Sequence, residues 1–100
     1  MDALQHTLKE VMASYAGKAL NGESWLTEGA EGRLFTVVSV GEIQGKQLVE
    51  TGLIARVVDE HIVIDHDANS KPLVDALLQA GLPRQQIVLA YAGETSSDAA

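Results

Sequence analysis

The stretch that decides the fold is His61–Tyr91, HIVIDHDANSKPLVDALLQAGLPRQQIVLAY. It opens with the β-branched run HIVID and closes with IVLAY, and short apolar runs of this kind are typical of buried strands. Between the two runs lie apolar residues at helical spacing that would share one face, Leu73, Val74, Leu77 and Leu78. The stretch therefore predicts a strand, a helix and a second strand.

The start of this helix is indicated by polar residues that can cap it. Asp67, Asn69 and Ser70 carry side-chain oxygens that can accept the free N–H groups of a first helical turn. Pro72 is tolerated there because a first-turn nitrogen has no partner within the helix.

The end of the helix is indicated by Gly81. Glycine takes the left-handed conformation that ends many helices, and this conformation would return Leu82 to Leu77. Pro83 then prevents the helix from resuming. We expect a positive φ at Gly81.

A second helix is predicted at the N-terminus, over residues 2–16. Asp2 is a plausible cap and Gly17 the expected stop. The evidence is one continuous apolar stripe at helical spacing, formed by Leu4, Leu8, Val11, Met12 and Tyr15. Residues 17–24 are small and polar, and we expect them to form a linker.

Three further strands are predicted before His61, over residues 24–28, 34–40 and 47–58. The expected turns are Gly29–Gly32, Gln44-Gly45 and Asp59-Glu60. Gly52 would interrupt the third strand as a bulge. The strand over 34–40 is apolar on both faces, which indicates a central position in the sheet.

These elements predict one α+β domain over residues 1–92. Its sheet would be an antiparallel β-meander with an N-terminal helix and a C-terminal strand-helix-strand unit, and both helices would lie against one face. Residues 93–100 offer nothing to bury and should form a frayed tail. Two short helices leave apolar strand surface uncovered, so we also expect a homo-oligomer.

The composition is that of a globular cytoplasmic protein. Hydrophobic residues make up 46% of the chain and charged residues 21%, a balance that argues against disorder. There is no cysteine, and hence no disulfide and no thiolate metal site. No apolar run approaches the roughly 20 residues that cross a bilayer, and the N-terminus lacks a signal-peptide pattern. We expect no membrane association.

The net charge of −7 indicates the class of partner. Phosphate contacts by Lys and Arg dominate affinity for nucleic acid, and the seven basic residues are scattered without a stripe. We therefore expect no direct nucleic-acid binding. An acidic surface suits a basic protein partner instead.

One group of titratable residues, His61, Asp65, His66 and Asp67, is the candidate for a site. Side chains alternate along a regular strand, so Asp65 and Asp67 would share one face. His66 would lie on the other face and hydrogen-bond a nearby backbone group. This arrangement predicts structural roles, with no catalytic residue, metal or cofactor. The alternative hypothesis is a small metal- or ligand-binding enzyme that uses Asp65 and Asp67.

The order of these features resembles the XisI-like family, which is named for a factor controlling excision of the fdxN element in cyanobacteria. The resemblance extends more weakly upstream, over residues 1–92, where Tyr15 matches an aromatic residue that closes the first helix. The residues that carry it are Ile62, Ile64, His66, Asp67, Leu73, Leu77, Ala80, Gly81, Leu82, Pro83, Ile87, Val88 and Leu89.

The resemblance implies a non-enzymatic regulatory protein of DNA rearrangement that acts through protein contacts. Family members are typically paired with XisH, a nuclease-like protein, which would be the partner here. The motif residues are His66, Asp67, Gly81 and Pro83. The basic surface of such a partner would meet exposed acidic residues, namely Glu42, Glu50, Asp59 and Glu60.

The chain departs from the family pattern at three places. Gly41-Glu42 stands where the family usually has Gly-Trp, and Asp59-Glu60 occupies a turn that usually holds a glycine. After Tyr91 the usual Phe-His-Pro-Pro segment and apolar tail are replaced. These departures leave the expected fold intact and bear on any contact made through the tail.

Overall fold

Six strands form one mixed sheet in the order of the sequence, and two helices pack against one of its faces. The computed structural model describes residues 3–95. The helices are α1 (Ala3–Ala13) and α2 (Leu73–Gln79), and the strands are β1 (Gly17–Ala19), β2 (Gly22–Gly29), β3 (Leu34–Ile43), β4 (Lys46–Val58), β5 (His61–Asp67) and β6 (Ile87–Leu89). All neighbouring strands are antiparallel except β5 and β6. The predicted α+β architecture is confirmed.

The unit formed by β5, α2 and β6 ends its helix as predicted. Gly81 has a φ of +98°, and its N–H donates to the carbonyl oxygen of Leu78 over 3.0 Å. The N–H of Leu82 donates to the carbonyl oxygen of Leu77 over 3.1 Å, which is the hydrogen-bond pattern of a Schellman motif. The last strand is shorter than IVLAY, because Ala90–Ala92 forms a 3₁₀ turn.

The core lies between the two helices and one sheet face, here called the inner face. α1 contributes Leu8 and Met12, and α2 contributes Leu73 and Leu77, all fully buried. They pack against inner-face residues of four strands, Phe35, Val37, Leu53, Ala55, Val57, Ile62, Ile64 and Ile87. The rest of the predicted α1 stripe, Leu4, Val11 and Tyr15, packs at the edge of this core.

α1 ends at Ala13, four residues before the predicted stop at Gly17. The hydroxyl of Ser14 donates to the carbonyl oxygen of Val11 over 2.6 Å, which satisfies a terminal carbonyl. Tyr15 then donates its hydroxyl to the carbonyl oxygen of Lys71 over 2.9 Å and joins the end of α1 to the start of α2. The predicted cap at Asp2 lies outside the described residues.

The predicted linker over residues 17–24 is wrong, because its first part is β1. The turn between β1 and β2 is bonded to β3: the N–H of Glu42 donates to Asn21 and the side chain of Asn21 returns a bond to Glu42. At Gly22 a Cβ atom would lie 2.5 Å from the carbonyl oxygen of Val40. Only glycine allows this close approach of strands. The small and polar composition of the segment does not reveal this contact.

The meander follows the predicted turns. β3 occupies the predicted central position, and the strand register between β3 and β4 skips Gly52, which confirms the bulge. The predicted Asp59-Glu60 turn forms with Asp59 in the left-handed conformation, at a φ of +54°.

The tail prediction fails for its first two residues. Gly93 and Glu94 each donate a backbone hydrogen bond, to Ala90 and Leu89. The Glu94 carboxylate accepts the N–H of Leu89 over 3.0 Å and a hydrogen bond from Arg84 over 2.7 Å. These hydrogen bonds hold Gly93 and Glu94 in place, although neither residue has an apolar side chain to bury. Residues 96–100 of the predicted tail lie outside the described residues.

The opposite sheet face, here called the outer face, is covered by no helix within residues 3–95. It carries a small buried pair, Val63 and Val88, and an exposed Trp25. Across the same residues, neither helix is long and apolar enough to span a membrane.

Candidate protein-interaction surface

The strand that carries His66 and Asp67 contains a second bulge, at Asp65. The register pairs Ala55 with Ile64 but Ile54 with His66, so Asp65 has no opposite residue on β4. A bulge moves every later side chain to the other face. The sequence prediction of regular alternation through Asp67 is therefore wrong.

His66 and Asp67 exchange faces as a result. Asp67 lies opposite Leu53, which is fully buried in the core, and so faces the helices. His66 lies opposite Ile54 on the outer face and is exposed. Within residues 3–95 no hydrogen bond reaches its ring, so the predicted backbone partner for His66 is wrong.

Asp67 caps α2. Its Oδ2 accepts the N–H of Leu73 over 2.6 Å, and its Oδ1 accepts the backbone and side-chain N–H groups of Asn69 over 3.0 and 2.9 Å. Asn69 donates a further bond to Gly52, 3.3 Å away, in the β4 bulge. The predicted capping role is confirmed for Asp67, whereas Ser70 makes no such bond in the described structure.

Burial and the carboxylates of Asp67 and Asp75 affect the pKa values of two tyrosines, Tyr15 and Tyr91. Burial raises the pKa of Tyr15 above 10.0, and the carboxylates of Asp67 and Asp75 raise it further. Burial and the same two carboxylates raise the pKa of Tyr91. Both hydroxyls thus remain protonated in the ordinary pH range, as the bond from Tyr15 to Lys71 requires.

The two aspartates of the enzyme hypothesis serve different partners. Asp65 lies on the outer face, where its carboxylate accepts two hydrogen bonds from Arg56 over 2.6 and 3.1 Å. This bond to Asp65 raises the pKa of Arg56. Asp67 lies on the inner face at the cap of α2. The predicted convergence of Asp65 and Asp67 does not occur, and no cluster of three metal-binding side chains exists in the part of the chain that the structure describes.

The four acidic residues of the expected partner surface fall into two groups. Glu42 and Glu50 lie on the β3–β4 hairpin, opposite Gln47 and Ser39. Asp59 and Glu60 form the turn at the other end of β4. Nine residues separate Glu50 from Asp59, which places them about 30 Å apart at the rise of a strand. The four residues therefore form two separate acidic groups, one at each end of β4.

The turn of Asp59 and Glu60 borders a cleft of about 390 Å³. Ala3, Leu4 and Thr7 of α1 form one wall, and Leu82 and Gln86 form the other. Gln86 donates to the carbonyl oxygen of Glu60 over 3.2 Å and fixes the turn. The two carboxylates have no hydrogen-bond or ion-pair partner among the described residues, so they are available at the rim of a partly apolar cleft.

Sequence reasoning found the acidic rim of this cleft but not its walls. Leu4 and Leu82 look like core residues because they belong to the apolar faces of α1 and the α2 stop. The available signal is position: Leu4 lies in the first turn of α1, where a helix can extend past the sheet.

Three of the seven basic side chains are held in ion pairs by carboxylates of the described residues. Ion pairs join Lys9 to Glu28 over 3.0 Å, Arg56 to Asp65 over 2.6 Å and Arg84 to Glu94 over 2.7 Å. Each carboxylate cancels the positive field that a phosphate would otherwise meet.

Known proteins that are similar to this chain share its fold. The model of the XisI protein family matches residues 1–99. A crystal structure of a XisI-like protein from Anabaena variabilis superposes with a TM-score of 0.64 at 20% identity, covering 85% of this chain and 77% of that one. The fdxN element excision controlling factor XisI from the same organism gives a TM-score of 0.65 at 20% identity, covering 87% and 88%. No curated protein sequence gives a significant match.

Proposed function

Because this chain belongs to the XisI family, we propose that it is a non-enzymatic factor that controls programmed excision of a DNA element through protein partners. The solved relative with the more complete coverage is an excision controlling factor. The proposed place of action is the cytoplasm, where the rearranged DNA lies. The partner we propose is a nuclease-like protein of the XisH type, and the effect on DNA is indirect.

The observation that carries this proposal is the free acidic pair Asp59 and Glu60 at the rim of the α1 cleft. Carboxylates without internal partners attract a basic surface, and the apolar walls of the cleft offer area that a partner can bury. Leu4 on one wall and Leu82 on the other supply this apolar area. A basic side chain with an aliphatic stem, Lys or Arg, fits such a combination.

Direct DNA binding is the less favoured mechanism. The net charge of −7 repels phosphate at long range. Lys9, Arg56 and Arg84 are held by carboxylates at short range. Specific DNA binders need several phosphate contacts before base readout contributes.

The enzyme alternative receives no support from the geometry. Asp65 and Asp67 lie on opposite faces and are bonded to Arg56 and to the start of α2. Using either as a metal ligand would break a contact of the fold. The proposed role therefore does not use Asp65 and Asp67 as metal ligands.

One charge-reversal pair tests the partner surface. Glu60→Lys should weaken binding to an XisH-type protein from the same genome by roughly fivefold at low salt, because it opposes a basic surface at the cleft. Glu42→Lys is the matched control with the same charge change at the other end of the sheet, and it should stay within about twofold of wild type. A larger loss for Glu42→Lys would place the contact on the β3–β4 hairpin and contradict the proposed surface.

A further inference from the structure

β4 has an open edge along its first half. β3 pairs with β4 from Lys46 onward, but β5 pairs with it only from Leu53. Ala68 closes the next position by donating to Gly52 over 2.9 Å. Within residues 3–95, no strand lies beside the segment 46–51, KQLVET, on this edge.

The backbone of this open edge presents hydrogen-bonding groups outward. The β3–β4 turn contains only Gln44 and Gly45, both with positive φ, 53° and 79°, as in a type I′ hairpin. In a two-residue hairpin the flanking residues bond to each other, so the backbone of Lys46 faces β3. Alternation then turns the N–H and C=O groups of Gln47 and Val49 to the open edge.

The side chains along the open edge are exposed to solvent. Every residue from 42 to 51 is exposed, and Leu48 and Val49 keep 49% and 65% of their surfaces accessible. Natural edge strands are normally protected by proline, bulges, charged side chains or a covering element, and of these the segment has only the charges of Lys46 and Glu50. This segment contains no proline and no bulge before Gly52.

We infer that two copies of this chain pair through this edge, antiparallel, about a twofold axis at Leu48. Gln47 then bonds through its backbone to Val49 of the partner subunit, and the two sheets become continuous. Lys46 lies directly opposite Glu50 of the partner subunit, and symmetry repeats this ion pair. Leu48 meets Leu48 of the partner subunit between the two pairs.

Charge selects this register. Residues directly opposite each other in an antiparallel pair must point to the same face. An alternative register is therefore possible only if the sum of the two paired residue numbers changes by two. The two neighbouring registers centre on Val49 and on Gln47. They place Leu48 against Glu50 and against Lys46 respectively, and both leave Lys46 and Glu50 without counter-ions. Opposite charges on facing positions stabilise strand pairing, whereas mismatched ones do not. The segment 46–51 is locally neutral in a chain of net charge −7, which permits self-association.

This inference is independent of the proposed excision role, because it concerns a different end of β4 from Asp59 and Glu60. It also gives the expected homo-oligomer a definite interface. Glu50 is used between subunits, and the acidic cleft remains open in each.

The test is sedimentation of the full chain and its variants over a range of micromolar concentrations. We expect a wild-type dimer. Lys46→Glu and Glu50→Lys should each weaken dimerisation by roughly tenfold or more, since each creates two like-charge contacts. The double variant K46E/E50K should recover most of the wild-type affinity. Glu42→Lys is the control on the other strand of the hairpin and should leave the dimer unchanged.

Val49→Pro tests the backbone contribution. It removes an N–H that faces the open edge, and edge strands tolerate proline. We expect a folded monomer by circular dichroism and sedimentation. A monomeric wild type, a double variant no better than the single ones, or a dimer indifferent to the charge reversals would overturn the inference, and the last result would move the interface to another face.

Discussion

The Oδ2 atom of Asp67 lies 2.6 Å from the backbone nitrogen of Leu73 and accepts its N–H. The contact spans six residues and joins the end of β5 to the first turn of α2. A bulge at Asp65 makes it possible, because without the bulge the carboxylate of Asp67 would face away from the helices. Asp67 of the motif therefore links β5 to α2, and the exposed His66 takes no part in this contact.

Replacing this cap should destabilise the fold. Asp67→Ala should lower the free energy of unfolding by about 1–2 kcal/mol, the usual cost of a lost helix cap. Ser70→Ala, in the same loop, is the matched control and should change it by less than about 0.5 kcal/mol, because Ser70 makes no capping bond. Urea unfolding measures both, and equal losses in the two variants would contradict the assignment.

The glycine stop of α2 gives a second prediction. Gly81→Ala should cost roughly 1 kcal/mol or more, because alanine resists the positive φ of this residue. Nothing lies within 4 Å of the Cβ position, so the cost is backbone strain alone. Gly29→Ala is the control: its φ of −146° suits any residue and its Cβ would also meet open space. If both variants unfold at the same urea concentration, Gly81 does not act as argued.

His66 should contribute little to stability. His66→Ala should change the free energy of unfolding by less than about 0.5 kcal/mol, because its exposed ring has no hydrogen-bond partner among the described residues. Zinc or nickel should leave the melting temperature of both proteins unchanged, since a ligand bound only to the folded state would raise it. A metal-dependent increase in wild type that His66→Ala abolishes would identify His66 as a ligand.

Tyr15 should make stability fall at alkaline pH. Its pKa in the folded state is raised above 10.0, so the unfolded state loses this proton first. The contribution is complete below about pH 10 and is lost as the pH rises through the folded-state pKa.

Tyr15→Phe should flatten this decline. It should also lower stability at neutral pH by about 1 kcal/mol through loss of the bond to Lys71. Unfolding measured from pH 8 to 11.5 tests both effects. Tyr91→Phe is the comparison, because its pKa shift has the same sign but its hydroxyl makes no bond to Lys71. A Tyr15→Phe curve parallel to that of wild type above pH 10 would refute the assignment.

Local sequence signals predicted the α+β fold well where one residue type dictates one conformation. Gly81 and Pro83 defined the end of α2, and the apolar stripe defined the buried face of α1. Gly52 indicated a bulge because glycine inside a strand is otherwise unfavourable.

The missed features depend on contacts between distant residues. No glycine in the sequence indicates the bulge at Asp65, whose carboxylate is bonded to Arg56 on β4. The turn that joins β1 to β2 is bonded across the sheet, from Asn21 to Glu42. The order at Glu94 depends on Arg84, ten residues earlier. No local pattern contains these pairs, so the exchange of faces by His66 and Asp67 could not be predicted.

We propose that this chain acts through a protein partner and does not itself bind DNA. The most direct measurement compares binding of the full chain to duplex DNA and to an XisH-type protein of the same genome, each at about 50 and 150 mM salt. We expect no DNA complex at micromolar concentrations, and a complex with the protein that weakens as salt rises because it depends on acidic residues of this chain. Sub-micromolar affinity for DNA at the higher salt, with no binding to the protein partner, would contradict the claim.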